Sequence, residues 1–402
     1  MSRILLLLPT ATYRATDFLA AATELGVELV IGSERPNVLA APMGERAVVI
    51  PLATPDVAIE VIVALDSRTP LDAVLAVDDQ GVVVAAGAAE RLGLRHNSSE
   101  SVLVTRDKSL TRERLSAAEL SQPSFRTIPP GADAVAAANA IGYPCVMKPV
   151  SRSASQGVIR VNDADEARRA AQRIRDILGD CVEPLIVEEF VPGGEVAIEG
   201  LLVNGLLKVL AVFDKPDPLV GPYFEETIYV TPSRYDARTL KELARVTAHA
   251  AEALGLREGP VHAELRIGPS ETVTVLEVAA RSIGGLCSRS LHFGGGASLE
   301  EIIIRHALGM DVGAPQRKWL ASGVMMLPIR SAGVLERVSG QEEARSVTGV
   351  VDVQISIPVG RNVVPLPEGD RYLGFIFARG VTAQEVEATL RRAEACLEVQ
   401  LR

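Results

Sequence analysis

The sequence predicts an α/β protein that divides into more than one domain. Three observations support this fold class. Short apolar runs typical of strands alternate with longer amphipathic runs over the first hundred residues, an order that favours a parallel sheet flanked by helices. Residues 259–285 are typical of two strands joined by a short turn. A chain of 402 residues is also long enough to bury a large core and to form two or three lobes.

The first 104 residues are predicted to form a small α/β domain. We expect strands at residues 4–8, 28–31, 47–50 and 73–77, and helices at residues 15–25, 55–65 and 82–92. The first turn, residues 9–18, lacks the G-x-G-x-x-G spacing, so we do not expect this domain to bind a dinucleotide. Asp78 and Asp79 follow the fourth strand and could line a ligand crevice there. A cap for the next helix is the interpretation that we favour for them.

The predicted hairpin carries one carboxylate in each strand, Glu264 in VHAEL and Glu277 in VLEVA. Pairing about a turn at residues 268–271 places Glu264 opposite Val275, so that the two carboxylates share a face of the sheet on a diagonal. Two unpaired anions there would repel each other, and a divalent cation that carries nucleotide phosphates would remove this cost. From the hairpin alone, two solvated charges on an open sheet face are an equal alternative.

Several further residues have the character of a phosphate-binding site. Lys148 lies in the apolar strand PCVMKPV and is followed by the small, polar loop SRSASQG at residues 151–157, whose backbone can bend close to phosphates. A later strand ends in the segment EEFV at residues 188–191 and leads to Glu195. Lys108 is predicted in the first turn of a helix, and an exposed surface position is its alternative interpretation.

The order of these residues, from Lys108 through Lys148, the glycine loop, EEFV and Glu195 to the two hairpin carboxylates, resembles the ATP-grasp superfamily from about residue 105 to residue 310. The segments GEVAIEG, FDKPDPLVGPYFEETIYVTPS and EVAARSIGG are similar to its carboxylate–amine ligase branch, which includes L-amino-acid ligases, dipeptide synthetases and carnosine-synthase-like enzymes.

The resemblance implies three domains. An N-terminal Rossmann-like pre-ATP-grasp domain would span residues 1–104. The ATP-grasp domain would span residues 105–312 and include a mobile lid at about residues 130–190. A small α+β domain similar to that of biotin carboxylase would span residues 313–402.

The resemblance also implies roles for single residues. Glu264 and Glu277 would hold Mg²⁺ or Mn²⁺, and Lys148 and Arg281 would be catalytic, with Arg281 on the γ-phosphate or on an oxyanion. The backbone of residues 188–191 would bind adenine. The nucleotide-binding residues would be Lys108, Lys148, Ser153, Ser155, Gly157, Glu188, Glu189, Phe190, Val191 and Glu195. Glu188 would meet the exocyclic amine of adenine and Glu195 the ribose hydroxyls.

The substrate site is less well marked by the sequence. His262, Glu226, Gly284 and Gly285 are the candidates. A core histidine and a solvated loop carboxylate are the alternatives for the first two. Ala279 stands where many ATP-grasp enzymes have an asparagine two residues after the second metal carboxylate, so the number of metal ions is left open.

The function that the resemblance implies is ATP-dependent amide formation. ATP would phosphorylate a carboxylate, an amine would attack the acyl phosphate, and ADP and phosphate would leave. The substrates would be an amino acid and a second amino acid or amine. A biotin-carboxylase-like or purine-pathway carboxylating ligase is one alternative, and a non-catalytic nucleotide-binding protein is another.

Composition bounds the partners and the location of the protein. The formal charge of −10 argues against a nucleic-acid partner. The four cysteines are far apart and are predicted to be buried or half-buried free thiols, and no apolar run has the length of a membrane span. We therefore expect a cytoplasmic protein without a membrane partner. A homodimer is common among similar enzymes, and the sequence leaves the oligomeric state open.

Overall fold

The computed structural model describes residues 1–9, 12, 14–35, 43–313, 315, 317 and 320–402. The prediction for the first turn falls partly on Thr10, Ala11 and Tyr13, which lie outside the described residues. None of the helices in the described part of the chain combines the length and the apolar character that crossing a membrane requires.

The first sheet is four-stranded and parallel, with the strand order β3-β2-β1-β4. Its strands are β1 (Arg3–Leu7), β2 (Glu28–Ser33), β3 (Ala47–Val49) and β4 (Ala73–Ala76), and its helices are α1 (Ala15–Glu24), α2 (Pro55–Asp66) and α3 (Val82–Leu92). Residues 4–7 of β1 are fully buried because both faces of a parallel sheet are covered. Every strand and helix predicted for this region is confirmed to within two residues.

Two short helices connect the first sheet to the rest of the molecule, α4 (Ser99–Arg106) and α5 (Lys108–Ala117). Asp107 caps α5, because its side chain accepts hydrogen bonds from the backbone N–H groups of Ser109 and Leu110. The cap fixes Lys108 in the first helical turn, as predicted.

A second, antiparallel sheet follows with the strand order β5-β8-β6-β7, and we call it and its helices the small-sheet unit. Its elements are β5 (Phe125–Ile128), α6 (Ala134–Ile141), β6 (Cys145–Pro149), β7 (Ile159–Val161), α7 (Ala164–Leu178) and β8 (Leu185–Glu189). Helix α7 buries Ala167, Ala170, Ala171, Ile174 and Leu178, which recur at helical spacing on the face that covers the sheet.

The largest sheet is antiparallel and has eight strands among the described residues, in the order β13-β12-β9-β10-β11-β14-β18-β16. These strands are β9 (Gly194–Val203), β10 (Leu206–Lys215), β11 (Ile228–Thr231), β12 (Gly259–Ile267), β13 (Val273–Ala279), β14 (Ala321–Leu327), β16 (Val350–Ile355) and β18 (Gly374–Gly380). Helices α8 (Ala237–Ala253) and α9 (Leu299–Ala307) pack near its first half. Because three of the strands follow residue 313, the sheet crosses the predicted boundary between the second and third domains.

The last part of the chain adds a three-stranded sheet with the order β17-β15-β19. Its elements are β15 (Gly333–Ser339), α10 (Gln341–Ser346), β17 (Asn362–Val363), α11 (Ala383–Glu394) and β19 (Glu398–Leu401). Helix α11 packs on β14 and β18 and closes the core of this region with Val386 and Leu390.

The hairpin register differs from the prediction. Glu264 pairs with Glu277 and not with Val275. The turn is one residue longer than predicted, since Gly268 donates its N–H to the Thr272 carbonyl, and a β-bulge then skips Leu276. The two carboxylates are therefore directly opposite each other.

In residues 215–233, β10 ends at Lys215 and β11 (Ile228–Thr231) joins β10 to β14 in the large sheet. One smaller prediction is also corrected. The four thiols are free, as predicted, but Cys181 is exposed and not buried.

Candidate active site

A cleft of about 460 Å³ lies where the first sheet, the small-sheet unit and the large sheet meet. All but one of the predicted site residues line this cleft: Lys108, Lys148, Ser153, Ser155, Glu188, Glu189, Phe190, Val191, Glu195, Glu226, His262, Glu264, Glu277, Arg281, Gly284 and Gly285. The fold therefore gathers residues that are far apart in the sequence.

Gly157 is the exception, and its predicted phosphate contact is corrected. Its N–H donates to the carbonyl of Pro367 at 2.9 Å, so this donor is directed away from the cleft. Its φ of +71° instead serves the turn of the loop at residues 151–157. Ser153 and Ser155 of the same loop do reach the cleft.

Lys148 is part of a buried group of charges in the cleft. Its ammonium lies 2.6 Å from Glu188 Oε2, while Arg112 Nε donates to Glu188 Oε1 at 2.8 Å. Burial acts to raise the pKa of Glu188, but Arg112 and Lys148 outweigh it and hold the pKa at about 2. Burial lowers the pKa of Lys148. Glu188 is thus engaged by two cations before any adenine contact.

Sequence analysis missed Arg112. Its side chain is fully buried and also donates to the Leu276 carbonyl at 2.6 Å, which is the residue that the β-bulge skips. The signal that could have revealed it is the helical spacing of four residues from Lys108, which places both cations on one face of α5.

Lys108 bridges the loop at residues 151–157 and the hairpin. Its ammonium donates to the Arg152 carbonyl at 2.6 Å and lies 3.8 Å from Glu277 Oε2. Only a small part of its side chain is exposed. The alternative interpretation of Lys108 as an exposed surface residue is therefore wrong.

Three carboxylates surround the buried ammonium of Lys215. Glu195 lies 2.6 Å from it and Glu264 lies 3.2 Å from it, while Glu226 accepts a short hydrogen bond from it. Burial acts to lower the pKa of Lys215, but the three carboxylates hold it well above its ordinary value. Burial, together with the neighbouring carboxylates, raises the pKa of Glu226 to about 7.

The carboxylate oxygens of Glu195, Glu226 and Glu264 come within 4.8 Å of one another, a spacing that would suit a metal ion. The Lys215 ammonium already lies among them, so this group fits a buried ion-pair network better than a cation site. Glu264 and Glu277, opposite each other and both facing the cleft, offer the oxygen ligands that Mg²⁺ prefers. Ala279 pairs with His262 and adds no ligand.

His262 connects Glu264 to the core of the large sheet. Its Nδ1 lies 3.2 Å from Glu199 Oε2 and its Nε2 lies 3.5 Å from Glu264 Oε1. Burial acts to lower the pKa of His262, but hydrogen bonds to the two carboxylates raise it to about 9. Glu199 is completely buried and also accepts from the Ile283 N–H. Its place among apolar residues of GEVAIEG was the signal that could have marked it.

Arg281 is held from the first sheet. Its Nη2 lies 2.8 Å from Asp79 Oδ2, and Arg106 Nη1 lies 3.0 Å from Asp79 Oδ1. Burial acts to raise the pKa of Asp79, but the two arginines hold it well below its ordinary value. Gly81 precedes α3, and no side chain among the described residues caps that helix, so the cap interpretation of this aspartate pair is wrong. Asp78 and Asp79 line the cleft.

The segment that follows Arg281 is ordered by a second buried arginine. Arg14 donates to the Ser282 hydroxyl and to the Ile283 carbonyl, and it also pairs with Glu300 at 2.8 Å. Strand β13 ends at Ala279, so Arg281 lies in the segment beyond the strand. At Gly285, φ is +59° and an added Cβ would lie 3.0 Å from Phe375.

Comparisons with known proteins agree with this architecture. Three family models match: "ATP-grasp N-terminal domain" at residues 19–96, "ATP-grasp domain" at residues 141–290, and "L-amino acid ligase C-terminal domain 2" at residues 325–402. The chain also superposes on the crystal structure of L-amino acid ligase from Bacillus licheniformis with a TM-score of 0.86 and 25% identity, covering 100% of this chain and 99% of that one. N5-carboxyaminoimidazole ribonucleotide synthetase from Thermotoga maritima, at 16% identity, full coverage of both chains and a TM-score of 0.73, shares the fold.

Curated relatives match over part of their length. Alanine–anticapsin ligase of Bacillus subtilis (strain 168) is 28% identical over 246 residues, which are 56% of this chain and 52% of the relative. Carnosine synthase 1 of Gallus gallus is 29% identical over 64% of this chain and 30% of its own length. The chain thus spans about half the length of the first of these relatives and less of the second. It belongs to the ATP-grasp superfamily and, within it, to the carboxylate–amine ligase branch.

Proposed function

We propose that the protein is an ADP-forming carboxylate–amine ligase that joins an amino acid to another amino acid or amine. One observation carries this proposal: the facing carboxylates Glu264 and Glu277 lie in the same cleft as the cations Lys108, Lys148 and Arg281. A tetra-anionic nucleotide requires both cationic side chains and a metal ion. ATP would occupy the end of the cleft formed by Lys148 and residues 188–191.

Mg²⁺ or Mn²⁺ held by Glu264 and Glu277 would neutralise charge on the phosphates. Lys108 already spans the phosphate loop and Glu277, so it can orient the β- and γ-phosphates from the side opposite Lys148. Glu188 keeps Lys148 charged and aimed into the cleft, because it supplies the counterion that a buried ammonium needs.

The proposed reaction has two steps, and in each of them a bond forms and a bond breaks. A carboxylate oxygen of the first substrate attacks the γ-phosphorus, the bond between that phosphorus and the bridging oxygen breaks, and ADP leaves with the electron pair. The amine nitrogen of the second substrate then attacks the acyl carbon, loses a proton and expels phosphate. Arg281 faces the cleft with a fixed guanidinium, which suits it to stabilise the oxyanion of the tetrahedral intermediate.

The substrate class is inferred from the site and the relatives. The relatives include alanine–anticapsin ligase, D-alanine–D-alanine ligase and carnosine synthase 1. The first two names describe ligases that act on alanine. Glu226, His262, Gly284 and Gly285 line the cleft beside the metal carboxylates, where the two amino-acid substrates would meet. A homodimer and a cytoplasmic location belong to the same proposal and rest on the resemblance.

The test is release of ADP from Mg-ATP with all pairs of proteinogenic amino acids, and with bicarbonate alone in a separate reaction. We expect release that requires one amino acid as carboxylate donor and a second as amine, with a matching amide product by mass spectrometry. Release with bicarbonate alone would instead identify a carboxylating ligase. Tight ATP binding without turnover in any reaction would favour a non-catalytic nucleotide-binding protein.

A further inference from the structure

The loop at residues 151–157 is attached at its end to a segment more than two hundred residues away. Gly157 donates its N–H to the Pro367 carbonyl at 2.9 Å, and the Gln156 side chain donates to the Glu368 carbonyl at 2.9 Å. Ser153 and Ser155, which face the cleft, are part of the same loop. Pro367 and Glu368 belong to residues 320–402, which we call the C-terminal region, and their main-chain carbonyls thus fix the end of the loop at residues 151–157.

An ion pair reinforces this attachment from the adjoining helix. Arg173 of α7 binds Glu368 with two parallel contacts, Nε to Oε1 at 2.6 Å and Nη2 to Oε2 at 3.0 Å. This bidentate geometry fixes orientation as well as distance. The same guanidinium hydrogen-bonds to the Tyr223 hydroxyl, and its carbon lies 5.2 Å from the centre of the Tyr223 ring.

The small-sheet unit has a second attachment beside Tyr223. Arg160 donates its backbone N–H to the Pro222 carbonyl at 2.9 Å and its side chain to the Val220 carbonyl at 2.7 Å. Ile159 and Tyr223 also form an isolated β-bridge. The small-sheet unit is therefore joined both to residues 220–223 and to residues 367–368.

We propose that Glu368 is a positioning residue which, with Arg173, clasps the small-sheet unit to the C-terminal region and so holds the phosphate-binding loop over the nucleotide. This inference rests on the proposed ligase function, because it assigns the C-terminal region a part in binding ATP and in keeping water from the acyl phosphate. Neither residue lines the cleft, so the effect is transmitted through Gln156, Gly157 and α7. We call the Arg173–Glu368 pair the clasp.

The expected effect follows from the geometry. Both clasp side chains are about 40% exposed. The ion pair therefore stabilises the attachment of the small-sheet unit to the C-terminal region only modestly. Loss of the clasp should raise KM for Mg-ATP about threefold to tenfold while kcat changes less than twofold. A loop that opens more often also admits water to the intermediate, so the ratio of ADP released to amide formed should rise.

The experiment is a charge exchange in the full chain. Arg173→Glu and Glu368→Arg are each expected to raise KM for Mg-ATP and the ADP-to-amide ratio, and the double variant, which restores opposite charges, is expected to recover at least half of the loss. The matched control is the Arg330–Glu394 pair, whose Nη2 and Oε1 atoms lie 2.7 Å apart; neither residue lines the cleft. The same exchange there should leave both quantities unchanged.

A second measurement does not depend on knowing the substrates. Trypsin cleavage after Arg152, followed by mass spectrometry with and without Mg-ATP, reports how often the loop at residues 151–157 opens. Both single clasp variants should be cleaved several times faster than the unaltered protein, and the double variant should be slower than either. Equal cleavage rates and equal KM values in all variants would overturn the clasp even if the ligase activity is present. Absence of amino-acid-dependent ADP release from the unaltered protein would instead overturn the proposed function, and the trypsin series would still decide whether the clasp holds the loop.

Discussion

At the scale of single residues, the site depends on carboxylates whose counterions are built into the fold. Glu188 is the clearest case, because Arg112 and Lys148 neutralise it inside the protein. Removing one member of such a buried group leaves the others without a counterion, which costs more than the pair itself contributes. The same logic applies to Lys215 among its three carboxylates. The charges that we propose for nucleotide binding thus also contribute to the stability of the fold.

The buried position of Glu188 leads to a prediction about acid stability. The pKa of Glu188 in the folded protein is about 2, below the ordinary value of 4.5. Between these two pH values the unfolded chain binds more protons than the folded protein, so the free energy of unfolding decreases as the pH is lowered. The shift corresponds to about 3 kcal/mol, which is present above pH 4.5 and lost as the pH falls towards 2. Glu188→Gln should therefore be less stable than the unaltered protein at pH 7, and the difference should narrow below pH 4.5.

Urea unfolding midpoints at pH values from 2.5 to 7 would measure this difference. Glu113→Gln, an exposed change on α5, is the matched control and should follow the unaltered protein throughout. A difference that stays constant from pH 7 to pH 2.5 would show that Glu188 is not the group responsible.

At the scale of elements, the hairpin shows what the sequence could and could not predict. Apolar periodicity is a local property, and the strands and helices of the first sheet were predicted to within two residues from it. The pairing of Glu264 with Glu277 was not predicted, because it depends on a bulge at Leu276. The carbonyl of Leu276 accepts from Arg112, which comes from a helix about 160 residues earlier in the chain, so no local pattern could reveal it.

The same limit explains the other differences. Gly157 was assigned to phosphate binding from its loop, whereas its N–H is taken by Pro367. Asp79 was assigned to a helix cap, whereas two arginines from other elements bind it. In both cases the partner that binds the residue comes from a distant part of the chain, so a local sequence pattern could not reveal it.

The hairpin carries a prediction about activity. Glu277→Ala removes one of the two carboxylates that would hold the metal ion and also removes the partner of Lys108, so amino-acid-dependent ADP release should fall by roughly a hundredfold or more. Glu271→Ala, in the exposed turn of the same hairpin, is the control and should retain full activity. Initial rates at saturating Mg-ATP give the comparison. Release at the unaltered rate from Glu277→Ala would show that the metal assignment is wrong.

At the scale of the whole molecule, three regions contribute to one cleft, and each is held by contacts from another. The C-terminal region holds the loop at residues 151–157 through the carbonyls of Pro367 and Glu368. The large sheet supplies Lys215 and the carboxylates Glu264 and Glu277, which we propose as metal ligands. The first sheet, which lacks a dinucleotide-binding motif, supplies Asp79 at the carboxyl end of its fourth strand, where ligands of parallel sheets are bound. The Arg281 guanidinium is therefore held by a residue that follows a strand of the first sheet.

The last prediction concerns that contribution of the first sheet. Asp79 divides its two oxygens between Arg281 and Arg106, so Asp79→Asn keeps the size of the side chain but removes the charge that orients both guanidinium groups. Because Arg281 would act on the oxyanion, kcat should fall about tenfold to a hundredfold while KM for Mg-ATP changes less than threefold. Asp79→Asn added to Arg281→Lys should lower kcat little further, since both changes remove the same interaction. Asp72→Asn, at the amino end of the same strand β4, where the side chain accepts from the Arg3 backbone N–H, is the control for folding and activity. A kcat within twofold of the unaltered enzyme, with an unchanged melting temperature, would show that Arg281 does not need Asp79 for its position in the cleft.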